Sequence, residues 1–242
     1  MTKAKDIKNR LSNLSSSARA KTNAWFFKTG KGQYGEGDIF VGVTVPQVRG
    51  VVKEVSFDIS LTEVQKLVKD PIHEVRLCAL LILVKLFHKA QTKENKKKIF
   101  DFYIKHTKYI NNWDLVDTSA HIIVGQYISL CMEHEERISF IDKYIASKSL
   151  WENRIIVLAT LYQIKEGNEK MIFYVADRLL GHKHDLMHKA IGWMLREVGK
   201  KSGEKVLQSF LDNHIQHMPR TTLRYAIERF SEPTRKKYLA MK

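Results

Sequence analysis

The sequence predicts an all-α protein built from repeated helical pairs, and three observations predict it. Proline and glycine are sparse, at 4 and 12 of 242 residues. Runs of β-branched residues between turn signals, the mark of strands, are scarce, and the one glycine-rich stretch is Gly30 to Gly42. Whole motifs recur at the spacing of a helical pair.

From the N-terminus, two helices are expected first, near residues 3–25 and 46–55. Between them lies Gly30-Lys31-Gly32-Gln33-Tyr34-Gly35-Glu36-Gly37-Asp38. This loop could offer backbone N–H groups to a phosphate. It lacks the Gly-Lys-Ser/Thr of a P-loop and the strand context of a dinucleotide fingerprint, so its default role is a turn. The repeats follow. Pro71-Ile72-His73-Glu74-Val75-Arg76-Leu77 is echoed by Leu150-Trp151-Glu152-Asn153-Arg154-Ile155 and by Pro219-Arg220-Thr221-Thr222-Leu223-Arg224-Tyr225. Each opens an amphipathic helix with an early Arg. Arg76 and Arg154 lie about 78 residues apart, two units of roughly 39, and Arg154 and Arg224 about 70 apart, two units of roughly 35. Asn111-Asn112-Trp113 and Asp185-Leu186-Met187 open the helices of the skipped units. Five such helices, each preceded by a shorter one, fit a HEAT or armadillo array. Such an array stacks into a curved solenoid whose concave face binds extended ligands.

Local signals support the helices. Leu77, Leu80, Leu81 and Val84 fall at helical spacing, as do Ile155, Leu158, Ala159 and Tyr162. Starts are marked by Ser60, by Asp70-Pro71, and by Asn111 with Asp114 three residues on. No linker interrupts the series, and residues 1–242 read as one domain.

The chain carries 41 Lys and Arg against 26 Asp and Glu, a net charge of +15. A charge of that size points to a polyanionic partner, and to a basic concave face on the array. The plainer alternative is a generally basic solvated surface. Residues 1–19 contain no apolar core of a signal peptide. The longest apolar run, Leu77 to Val84, is too short to cross a bilayer. Cys78 and Cys131 are isolated in apolar helical stretches and read as buried thiols of a reducing cytoplasm.

Two helices concentrate the candidate chemistry. Asp185, Lys189, Trp193, Arg196 and Lys200 share one face at steps of three or four. Ala190, Ile191, Met194, Leu195 and Val198 supply the buried side. The stripe of Lys189, Trp193, Arg196 and Lys200 offers phosphate contacts beside an aromatic platform. Equally, Trp193 could be a packing residue with cations snorkelling around it. On the second helix, Trp113, Asp117 and His121 follow at steps of four. A Trp with a carboxylate one turn away makes a compact unit, although a packed Trp beside a solvated Asp has the same pattern. Asp114 reads as part of the helix start, and His121 as structural. Arg154 either reaches a groove with Trp113 and Trp193 or is a repeat-structural residue, as Arg76 suggests. His182, His184 and His188 lack the carboxylates or cysteines of a metal site. No nucleophile motif appears, and no metal or cofactor is expected.

Three segments, Asn112-Trp113-Asp114-Leu115-Val116-Asp117, Leu150-Trp151-Glu152-Asn153-Arg154 and Lys189-Ala190-Ile191-Gly192-Trp193-Met194-Leu195-Arg196-Glu197, together resemble the AlkD family of DNA alkylation repair enzymes. The resemblance runs from about Trp25 to Tyr238. It implies a HEAT-like-repeat DNA glycosylase that excises cationic N3- and N7-alkylated purines from double-stranded DNA, as a monomer and without flipping the base into a pocket. Carried over by position, Trp113, Asp117 and Trp193 match the family's catalytic cluster, and Arg154 and Arg196 its DNA-contacting arginines. Lys189 and Lys200 join them as expected phosphate contacts. An N-terminal aromatic also grips DNA in the family, and Trp25, Phe26, Phe27 and Tyr34 are the candidates. The competing class is a non-catalytic HEAT-repeat module that binds nucleic acid or protein.

Overall fold

The computed structural model describes residues 2–242. Among them all regular structure is helical, apart from one isolated parallel bridge between Ile39 and Ile72. None of the helices is long and apolar enough to cross a membrane. Packing divides the chain into two units that meet in sequence between Ser119 and Ala120.

The first unit holds α1 (Ala4–Asn13), α2 (Ser17–Phe26), α3 (Val45–Glu54), α4 (Leu61–Val68), α5 (His73–Lys89), α6 (Lys93–Lys105), a 3-10 turn (Thr107–Tyr109) and most of α7 (Trp113–Ala120). The single helix expected over 3–25 is two. Serines favour helix caps over helix interiors, and Ser16 caps α2 by accepting from Arg19 N while its own N–H donates to Val41 O at 2.9 Å. Helix α3 begins with a capping box between Thr44 and Gln47, and Ser60 caps α4. At its other end, α3 leaves orphan carbonyls, and Lys85 Nζ on α5 takes those of Val52, Lys53 and Val55 at 3.1, 3.0 and 2.6 Å. Helix α5 is the axis of this unit, apolar around most of its circumference, with Leu80, Ile82, Leu83 and Phe87 fully buried. It packs against α1, α3, α4 and α6.

The second unit continues with a π-helical turn (His121–Gly125), then α8 (Gln126–Leu130), α9 (His134–Ile145), α10 (Leu150–Ala159), α11 (Leu161–Lys165), α12 (Lys170–Leu179), α13 (Asp185–Lys201), α14 (Glu204–His214), α15 (Arg220–Ala226) and α16 (Glu232–Ala240). The expected helical pairs are α4/α5, α6/α7, α9/α10, α12/α13 and α14/α15. Not every first helix is the shorter, because two of the second helices are interrupted. Helix α7 gives way to the π turn. Helix α10 stops where the Thr160 hydroxyl donates to Val157 O at 2.6 Å, a back-bond that bends helices. The two interruptions face each other: a Cβ on Gly125 would lie 2.4 Å from Ala159 O. The last pair departs as well, α14 having 11 residues and α15 only 7.

Helix α13 carries the core of this unit, with Met187, Ala190, Ile191, Met194, Leu195 and Val198 at 0% exposure. Gly192 lets α15 approach closely: a Cβ there would sit 2.5 Å from Tyr225 Cβ and 2.6 Å from Thr222 O. Of the two cysteines, Cys78 is buried and its thiol pKa is pushed up to about 12 by burial. Cys131 is partly exposed, a departure from the expected burial, because it sits at the end of α8 next to exposed Leu130.

Gly192→Ala should therefore destabilise the protein by about 1–3 kcal/mol, through overpacking against α15. Gly50→Ala, in α3 with nothing near its Cβ position, should be neutral or stabilising by up to ~1 kcal/mol. Chemical denaturation midpoints of the two variants check both signs.

Candidate functional site

In the first unit the candidate residues sit at the start of α7. Asn112, not Asn111, ends the preceding turn. Its carbonyl accepts from Val116 N at 3.2 Å and its side-chain oxygen from Trp113 N at 2.9 Å. The Asn111 side-chain oxygen is engaged elsewhere, accepting from Arg76 Nη2 at 3.2 Å. Trp113 and Asp117 lie one turn apart on α7, both half-buried. The Trp113 ring stacks on Phe27, with centroids 5.2 Å apart and planes at 20°, and meets Phe26 edge-on at 6.0 Å. Phe27 stacks in turn on Phe40 at 4.9 Å, and Phe40 on the His73 imidazole at 4.4 Å.

Beneath this column lies a buried ionic cluster that local spacing gives no sign of. His73 Nδ1 bonds Asp38 Oδ2 at 3.0 Å and Nε2 bonds Asp114 Oδ2 at 2.8 Å. Arg76 Nη2 donates to Asp38 Oδ1 at 2.5 Å, and Asn112 Nδ2 to Asp38 Oδ2 at 3.1 Å. Burial alone would lower the His73 pKa. The hydrogen bonds and charges of Asp114 and Asp38 outweigh it and raise the pKa to about 9. Burial would likewise raise the Asp38 pKa, and His73, Arg76 and Asn112 reverse the direction. Asp114, read from the sequence as part of the helix start, is thus also a tertiary ligand of His73.

The glycine-rich loop leading to Asp38 is a turn. The N–H groups of Gly30, Gly32, Gly35, Glu36 and Asp38 all donate locally, to Gln33 Oε1, Glu36 Oε2 and the carbonyls of Lys28, Gln33 and Gly35. Of the N-terminal aromatics, Trp25 and Phe26 are exposed, at 72% and 52%.

In the second unit, Lys189, Trp193, Arg196 and Lys200 share one face of α13, and Trp193 is half-buried. Each cation of the stripe has an acidic neighbour. Lys189 pairs with Asp185 at 2.7 Å and Lys200 with Glu197 at 3.5 Å, while Arg196 pairs with Glu228 and lies 3.8 Å from Glu197. The Lys189 hydrogen bond holds the Asp185 pKa down despite some burial. Exposed pairs of this kind contribute only about 0–1 kcal/mol, so the cations can exchange partners cheaply. Arg154 is different. It is 4% exposed, and its Nη1 donates to Leu186 O at 2.5 Å, tying α10 to the first turn of α13. This parallels Arg76, whose Nη1 donates to the carbonyls of Asp70 and Pro71. His182 and His184 use their Nδ1 atoms to accept from His184 N and Leu186 N at the entry to α13. Among the described residues, no group of three or more His, Cys, Asp and Glu is arranged to hold a metal ion.

The model of one protein family, described as DNA alkylation repair enzyme, matches residues 7–230. The chain belongs to this family. The fold agrees. A solved structure described as a predicted DNA alkylation repair enzyme from Enterococcus faecalis superposes with a TM-score of 0.70 at 14% identity, covering 90% of this chain and 97% of that one. No curated protein matches the chain. As a DNA alkylation repair family member, the protein is assigned a role in alkylation repair, with DNA as the implied partner. The candidate residues thus form two sets, Trp113 with Asp117 on α7 and Lys189, Trp193, Arg196 and Lys200 on α13.

The buried cluster of this repair protein predicts a pH dependence. His73 holds its proton more tightly when folded, so its stabilisation is complete below the ordinary pKa of 6.5 and is lost as pH rises through about 9. The melting temperature should fall across that interval, and His73→Gln should flatten the fall. Thermal melts of both proteins from pH 6 to 10 test this, and parallel curves would show that folding does not raise the His73 pKa.

Proposed function

We propose that the protein is a monofunctional DNA glycosylase. It hydrolyses the N-glycosidic bond of cationic N3- and N7-alkylated purines in double-stranded DNA, acting as a monomer and without a base-flipping pocket. The observation that carries this reading is Asp117 one helical turn from Trp113 in a member of the DNA alkylation repair family.

The chemistry follows from the charge of the lesion. Alkylation at N3 or N7 leaves the purine positively charged, so it departs as a neutral base without a general acid. As the bond from C1′ to the base breaks, positive charge builds on the deoxyribose. The Asp117 carboxylate stabilises that charge and orients the water that attacks C1′. Trp113 and Trp193 offer electron-rich faces to the cationic nucleotide. Lys189, Arg196 and Lys200 exchange their carboxylate partners for phosphates. Arg154 holds the first turn of α13 in place through its bond to Leu186 O.

Two outcomes test the reading. Release of free base should track lesion charge: duplexes with a single 7-methylguanine or 3-methyladenine should lose it, and matched duplexes with ethenoadenine, hypoxanthine or uracil should not. Efficient release of a neutral base would require a proton donor and overturn the mechanism. Asp117→Asn keeps the shape of the side chain and removes its charge. It should leave DNA binding near normal while single-turnover excision falls by roughly 10²-fold or more, the scale of one lost electrostatic stabiliser. Unchanged excision would remove Asp117 from the chemistry.

A further inference from the structure

We infer that His73 is a positioning residue for Trp113: held between Asp38 and Asp114 and stacked on the column of Phe40 and Phe27, its cationic ring fixes how the Trp113 indole is presented. Its bearing on catalysis rests on the glycosylase reading above; its bearing on Trp113 does not.

His73 reaches Trp113 by two routes that close into a ring. One runs through hydrogen bonds: His73 Nε2 to Asp114 Oδ2 at 2.8 Å, and Asp114 is the chain neighbour of Trp113 in the first turn of α7. The other runs through stacked rings, from His73 to Phe40 at 4.4 Å, Phe40 to Phe27 at 4.9 Å, and Phe27 to Trp113 at 5.2 Å. A cation against an aromatic face is attracted to it, so the imidazolium charge also tightens the base of the column.

The two carboxylates that grip His73 are not equivalent. Asp38 has other holds, from Arg76, Asn111 and Asn112. Asp114 Oδ1 is buried with no hydrogen-bond partner, so the carboxylate is held through Oδ2 by His73. Only a protonated imidazole donates from both nitrogens. When it loses a proton, one carboxylate must face a ring lone pair, and Asp114, with nothing else to hold it, is the one released. The start of α7 then loses its tether and Trp113 its fixed orientation. The charged groups around His73 are Asp38, Asp114, Arg76 and its neighbour Glu74, and Glu74 is committed to the N–H groups of Val41 and Gly42. The balance at the ring is therefore set by Asp38, Asp114 and Arg76.

The test uses the full chain with its four tryptophans replaced by 5-fluorotryptophan, and Trp113→Phe to identify the Trp113 fluorine resonance. In the parent protein this resonance should stay constant from pH 6 to 8 and move above that, with a midpoint near 9. In His73→Gln it should already be displaced at pH 7 and should not titrate. Asp114→Asn keeps the acceptor but removes its charge, so it should shift the midpoint to lower pH, and it serves if His73→Gln does not fold. A Trp113 resonance that is insensitive to pH and unchanged in either variant would overturn the inference. Excision is read alongside. His73→Gln should slow single-turnover release of 3-methyladenine about tenfold while the Kd for uncleaved DNA stays within a factor of two. If the parent protein releases no base, the glycosylase reading fails, and the fluorine resonance still decides the role of His73.

Discussion

The first unit is organised around a carboxylate that has been taken out of water. Asp38 is 8% exposed, and a charge so placed is tolerable only when fully paired and hydrogen-bonded. Arg76, His73 and two asparagines meet that demand, drawn from α5 and from the turn before α7. Removing one partner from such a cluster typically costs roughly 3–5 kcal/mol, since the other charge remains buried. Glu74 does a parallel task one residue from His73, accepting the N–H groups of Val41 and Gly42. Gly42 itself has φ +78°, and a Cβ there would lie 2.2 Å from Ser16 O, so only glycine fits the crossing. The loop, α2 and the start of α7 thus take their positions from the polar end of α5, while its apolar length forms the core.

The second unit is held differently. Its close approaches are made by glycines in helices, at Gly125 against Ala159 and at Gly192 against α15. Among its polar ties is Arg154, which donates to a backbone carbonyl of the next helical pair. The face of α13 opposite its buried stripe is left with long cationic side chains and a half-buried tryptophan. The division of labour on that helix follows its periodicity.

Periodic features were therefore legible in the sequence. The buried stripe of α13, the spacing of Trp113 and Asp117, the helical pairs and the Ser60 cap all depend on residues a few positions apart. The Asp38–His73–Asp114 cluster was not, because its members are separated by 35 and 41 residues and belong to no pattern. Asp38 looked like the end of a turn, and His73 like one letter of a repeat. Arg154 shows the same limit from the other side. Its echo of Arg76 was visible, but whether its guanidinium meets solvent or a carbonyl depends on the next pair of helices. The break between α1 and α2 falls at a run of serines, Ser15 to Ser17, which break no hydrophobic period.

The acidic neighbours of the α13 stripe have a consequence for any polyanion that docks there. Asp185, Glu197 and Glu228 act as tethered counterions. A mobile ion displaced by a phosphate diffuses away and its release favours the complex. A tethered carboxylate stays, and remains close enough to repel the incoming phosphate. The net charge of +15 therefore overstates the grip this face can exert. Its pull on a polyanion is set by the difference between the cations and these fixed carboxylates, and not by the cations alone.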